Sequence, residues 1–139
     1  MKWIIWVSLI LIPTASFAES YTLIAESHCS SSGEQLAFSC KEGSSFSGAK
    51  LTILKNAGVW YGRESLKTLD GTKENEFRIS LVKQNESVMV FDYPVMYSGI
   101  ATIVLIKKTG RFFFSEISYS EILNAQDATI EAGRFTVSK

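Results

Sequence analysis

Ile100-Ala101-Thr102-Ile103-Val104-Leu105-Ile106 is followed by Lys107-Lys108-Thr109-Gly110 and then by Arg111-Phe112-Phe113-Phe114-Ser115-Glu116-Ile117-Ser118-Tyr119. These twenty residues decide the fold class. The first run is apolar on both faces when extended, relieved only by Ala101 and Thr102. Four residues with a glycine at the last position suit a hairpin turn that needs a positive φ. The second run carries three phenylalanines in a row. Two apolar runs of strand length around a tight polar turn predict an antiparallel hairpin. Apolarity on both faces suits the centre of a curved, two-layer or barrel structure.

Outward from this hairpin the same pattern recurs. Residues 77–82 place Phe77, Ile79 and Leu81 on one side and Arg78 and Ser80 on the other. The turn 83–86 precedes a strand over 88–93, which Pro94 ends or marks as an edge. Residues 49–55 alternate well, with Leu51 and Ile53 on one side. Asn56-Ala57-Gly58 is a turn, and Val59-Trp60-Tyr61 begins the next strand. Asp70-Gly71 is a turn signal inside the polar stretch 66–76, which reads as the longest loop. Residues 21–26 alternate weakly. The Ser30-Ser31-Ser32-Gly33 cluster is turn material before a strand over 35–41, and 43–48 is a Gly/Ser-rich connection. Residues 129–137 form a strand pair or one strand bent at Gly133. Ser118-Tyr119-Ser120-Glu121 matches a helix capping box, so 120–127 is open between a short helix and an irregular bend. The expected fold is all-β: a small antiparallel meander, closed or nearly closed into a barrel, with a two-sheet β-sandwich as the alternative. Closure removes the sheet edges that invite aggregation.

The beginning of the chain bears on compartment. Lys2, an apolar run over 3–12, Pro13 and then Ser16-Phe17-Ala18 follow the order of a secretory signal peptide. The run is too short to span a bilayer as a mature helix. Residues 1–18 are therefore expected to be removed, leaving a single β domain over 19–139 that is periplasmic or secreted, with no membrane anchor after cleavage. Of the 14 basic residues Lys2 leaves with the leader, so 13 face 14 acidic residues and the net charge is near −1. That balance argues against a nucleic-acid partner. Two cysteines, Cys29 and Cys40, have one possible intrachain pairing, and an exported chain favours a disulfide there.

Motifs for chemistry are scarce. His28 is the single histidine and lies beside Cys29. Neighbours on a strand point to opposite faces, which separates any base from any nucleophile, and a solvated histidine near a disulfide is the expectation. No nucleophile elbow, phosphate-cradling loop, dinucleotide fingerprint, calcium loop or zinc ligand set is present in the sequence, so no cofactor or metal is expected. Asp92, Glu116, Glu121 and Asp127 lie on or near apolar strands, where a buried pair would serve as acid and base; solvated strand ends explain them more simply. Glu74 and Glu76 read as surface charge, and Lys107, Lys108 and Arg111 as a solvated basic tip. Asn85-Glu86-Ser87 matches a glycosylation acceptor.

Phe46, Trp60, Tyr61 and Tyr97 are the candidate partner-binding aromatics, with core packing the competing explanation, above all for Trp60. The loops over 43–48 and 66–76 are the candidate binding loops. The expected function is that of an exported non-catalytic binding protein acting on another exported protein, as an inhibitor or accessory subunit. One alternative is a small barrel holding an apolar ligand. A second is a structural surface subunit that offers 19–26 or 134–139 as a strand to a neighbour.

Overall fold

A computed structural model describes residues 19–32, 37–42, 50–95, 98–120 and 125–139. Residues 1–18, the connection 43–48 with Phe46, Tyr97 and residues 121–124 lie outside the described residues. Among the described residues nine strands follow in chain order: β1 (Ser20–Ser32), β2 (Ser39–Glu42), β3 (Lys50–Asn56), β4 (Val59–Thr68), β5 (Gly71–Gln84), β6 (Val88–Val95), β7 (Gly99–Ile106), β8 (Arg111–Ser120) and β9 (Ala125–Ser138). Consecutive strands from β3 to β9 pair antiparallel, β3 pairs with β1, and β9 returns to pair with β1 along its length. Eight strands therefore close a barrel, and the expected barrel, not the sandwich, is the architecture. β9 fills one edge of β1. On the other edge β2 faces residues 27–30 and β3 faces residues 20–23, so β2 is an extra strand end to end with β3.

Tight turns set the register. Between β3 and β4, Ala57 and Gly58 take φ of 47° and 81°, the two positive values of a turn whose twist matches a hairpin. Gly110, at φ 64°, closes the β7–β8 turn as its sequence requires. Between β5 and β6 the Asn85 side chain accepts the backbone N–H of Ser87 at 2.9 Å and of Val88 at 2.8 Å.

Period-two alternation sends one set of side chains inside. Tyr21, Leu23, Ile53, Trp60, Ile79, Met89, Phe91, Ile103, Leu105 and Phe112 form a continuous buried cluster. Trp60 packs edge-on to Phe91 at 5.1 Å between ring centroids, and Tyr21 edge-on to Phe135 at 5.8 Å. Burial of the Tyr21 ring, helped by a hydrogen bond and the negative charge of Glu19, holds its phenol well above the ordinary range.

The β1–β9 seam is irregular in one place. The register shifts between Ala25 and Ser27, a bulge that leaves Glu26 as the extra residue. Its carboxylate accepts from Arg111 at 2.7 Å and also from Arg134. Desolvation works to raise that carboxyl, and the two guanidinium groups override it, leaving Glu26 below the usual carboxylate range. Gly133 lies opposite Ala25 beside the bulge, where the β1 backbone comes close enough to exclude a side chain.

Three expectations are corrected. Ser30, Ser31 and Ser32 extend β1 and do not form a turn, because pairing with Thr129, Ala128 and Asp127 of β9 supplies the ladder that their composition does not suggest. Residues 66–76 form no long loop: Thr68 pairs with Gly71 around Leu69-Asp70, and β4 and β5 continue as a hairpin ribbon, most of it exposed, with Arg63 bound to Glu76 across it at 2.9 Å. Residues 125–127, within the stretch left open between helix and bend, belong to β9. Of the two readings of 129–137, the single strand is the one found.

Candidate functional site

Two regions of the barrel carry more than packing. The first is one end of the interior. Following the inward positions of β4, β6, β8, β9 and β1 past the apolar cluster leads to Glu64, Tyr93, Glu116, Glu131 and His28. The imidazole Nδ1 of His28 lies 2.9 Å from Glu131 Oε1 across the β1–β9 pair, and His28 is buried. Burial pushes the Glu116 carboxyl above the ordinary carboxylate range, with Glu64, Glu131 and Asp127 adding their repulsion. Glu131 is raised by burial too, and its bond to His28 holds it back. The Tyr93 phenol is raised first by burial and then by the charges of Glu116, Glu64 and Glu131. Its ring lies 4.6 Å from that of Phe77, which joins this polar end to the core. Chemically it is an acidic, proton-retaining patch over an aromatic floor. Among the described residues, no three His, Cys, Asp or Glu side chains are placed to hold a metal ion.

The second region is the outer wall. Cross-strand registers define its rows. Val90, Val104, Phe113 and Ala132 form one row. Asp92, Thr102, Ser115, Ile130 and the disulfide partners Cys29 and Cys40 form the next. Pro94, Ile100, Ile117 and Ala128 form the third, and Tyr119 stands beyond. Ile100, Phe113, Ile117, Tyr119 and Ile130 are each between 42% and 53% exposed. From Ile100 to Val104, Phe113 to Tyr119 and Ala128 to Ala132 no outward position on β7, β8 or β9 is charged. Asp92 at its margin accepts a hydrogen bond from Thr102 at 2.7 Å. On the opposite wall the outward positions of β3, β4 and β5 carry Lys50, Arg63, Lys67, Glu74, Glu76 and Arg78. The barrel is thus two-faced. Single exposed apolar residues are ordinary, whereas this wall is one contiguous uncharged area.

The residues singled out in the sequence fall as follows. Cys29 and Cys40 are cross-strand partners joined in a disulfide, as expected. Trp60 is 7% exposed and points into the barrel, where core packing explains it. Tyr61 is half-buried on the charged outer wall, between Leu54 and Arg78. His28 is corrected: it is buried and bonded to Glu131, since the face opposite the disulfide is the barrel interior. Asp92 faces outward and Glu116 inward, so these two acids lie on opposite sides of the wall. The segments considered for strand donation pair with each other, Ser20 with Ser138 and Ile24 with Arg134. Neither the polar interior end nor the outer wall is recognised by sequence reading alone; the two-sided apolarity of 100–106 is the signal that bears on the wall, and it fits central burial equally well.

No protein-family model, no curated protein sequence and no solved structure matches this chain.

Proposed function

We propose that this chain is an exported, non-catalytic binding protein that docks a protein partner on the outer wall of β7, β8 and β9. One observation carries the reading. Five large apolar side chains, Ile100, Phe113, Ile117, Tyr119 and Ile130, stand about half exposed on a wall without a charge, and covering such a wall removes apolar area from water at roughly 25 cal/mol per Å². Export is supported by the signal-peptide pattern of 1–18 and, weakly, by the Cys29–Cys40 bond. The apolar-ligand alternative is less well supported. Ile53, Met89, Phe91, Ile103 and Leu105 are fully buried against one another, so a guest would have to part a filled core.

The test is co-purification of the protein, tagged after export, from the extracellular or periplasmic fraction of its own host, beside an Ile117→Arg variant. Ile117 faces outward, so the variant is expected to keep the wild-type circular dichroism spectrum and to lose the bound protein. Identical sets of bound proteins on wild type and variant would refute the assignment of the face.

A further inference from the structure

We infer that the occupant of the β7–β9 outer wall is a second copy of this chain, packed face to face about a twofold axis that crosses the strands at the level of Ser115. The inference rests on the reading of that wall as a docking surface. It follows from size, charge and the order of the rows.

Size comes first. Large side chains present on the order of 200 Å² each when fully open, so the five half-exposed residues offer roughly 500 Å². Half-buried Val104 and Ile106 on β7 extend the patch toward the roughly 800 Å² per partner of a standard stable interface. Charge comes next. A twofold interface lays the same surface on itself, so any unpaired charge in its middle would meet its own copy. The rows of β7, β8 and β9 have none: Thr102, Ser115 and Ile130 form their centre, hydroxyls both donate and accept across a symmetry axis, and the acid of the same row, Asp92, stands outside them on β6, accepting from Thr102.

The order of the rows then selects the arrangement. Reversing strand direction about the Ser115 level sets Phe113 against the partner's Ile117 and Val104 against the partner's Ile100. Ile130 meets the partner's Ile130. Arg111 and Arg134 border the wall at one end, held by Glu26, and Tyr119 borders it at the other. The same rotation brings the guanidinium of Arg111 over the partner's Tyr119, a cation on an aromatic face. The two ends of the wall thus complement each other. The charged wall of β3–β5 has no such relation to β7–β9, which leaves like on like as the pairing the surface fits.

Sedimentation equilibrium of the exported, disulfide-intact protein from about 1 µM to about 200 µM tests this, because dimer population follows concentration by mass action. The expected result is twice the monomer mass at the upper end. Ile117→Arg should weaken association at least about 100-fold by placing an unpaired charge in the contact, and Phe113→Lys should act alike, both with an unchanged circular dichroism spectrum. Ser115→Cys should form a covalent dimer under mild oxidation, whereas Ser80→Cys on β5, away from the wall, should not. A wild-type protein that stays monomeric throughout overturns the inference, as does equal cross-linking by the two cysteine variants. A monomeric wild type that captures a different protein in an Ile117-dependent way removes self-pairing and leaves the docking face standing.

Discussion

Replacing Gly133 by alanine tests closure of the barrel in one substitution. In an open strand interior, exchange of glycine for alanine stabilises by roughly 0.5–1 kcal/mol, because glycine loses the most backbone freedom on folding. Here the geometry reverses the sign. A Cβ on Gly133 would stand 2.8 Å from Phe112 Cε1 and 2.9 Å from Ala25 Cα, and closer still to the Ile24 carbonyl oxygen. Two of those three neighbours are backbone and have no rotamer to move to. Overpacking costs about 1–3 kcal/mol and occasionally more, and the rigid neighbours place this site at the upper end. After the backbone-entropy gain the net loss is about 2–3 kcal/mol. At roughly 4 °C per kcal/mol for a chain of this length, Tm should fall by about 8–12 °C. Thermal and urea unfolding followed by far-UV circular dichroism measure it. Gly58→Ala is the control: nothing lies within 4 Å of its Cβ, and its φ of 81° costs only about 1 kcal/mol of left-handed strain. A Gly133→Ala protein as stable as wild type, or more so, would mean that β1 does not approach β9 there and that the barrel is not closed as described.

Paired Cys29→Ser and Cys40→Ser changes should lower stability by about 3 kcal/mol, the chain-entropy value for a loop of this length, and leave the far-UV spectrum in place, because β2 lies outside the closed ring; loss of the spectrum would place the bond within the folding unit. Glu116 and Glu131 have folded-state pKa values above the ordinary 4.5, so their contribution is fully present below that value and is lost as pH rises through the folded values. Glu26 works in the opposite sense: its depressed value gives stability present above 4.5 that is lost as pH falls. Glu116→Gln should therefore flatten the decline above pH 4.5, read as urea midpoints, and an unchanged slope would count against a half-buried Glu116. Asn85→Ala removes the acceptor for two backbone N–H groups in the β5–β6 turn and should cost about 1 kcal/mol. Asn85→Asp, which keeps an acceptor there, should restore most of the lost Tm.

Strands with one apolar side were legible from sequence, because burial on one face leaves a period of two. Leu51 and Ile53, and Phe77 and Ile79, are inside as their alternation requires. The turns at Ala57-Gly58 and Gly110 were legible from glycine chemistry. The hairpin ribbon over 66–76 was not, because polar side chains on both faces carry no period and its pairing rests on backbone and on contacts such as Arg63 to Glu76. The serines of β1 were misread for a related reason: their strand is dictated by β9, a hundred residues away in sequence. The candidate sites were least visible. His28 and Glu131 are 103 residues apart, and only the register of closure places one opposite the other.

The outer wall shows where a period-two argument reaches its limit. Residues 100–106 and 112–114 are apolar at odd and even positions alike, yet a sheet in a sandwich, like one closed into a barrel, turns only one of its faces to the core. A single closed barrel has only one inside. Ala101, Ile103, Leu105 and Phe112 fill it, and the alternate set, Ile100, Val104 and Phe113, is left facing out by geometry and not by composition. Folding gains little from that set. A side chain that stays half exposed recovers roughly half of the 1.5–3 kcal/mol that full burial gives, while a continuous apolar wall on a free barrel exposes the chain to aggregation. The opposite wall, with Lys50, Arg63, Glu76 and Arg78, shows that the same barrel closes equally well behind a charged exterior. The apolar exterior of β7–β9 is thus not a requirement of the fold, which is why contact with another surface is the role we propose for it.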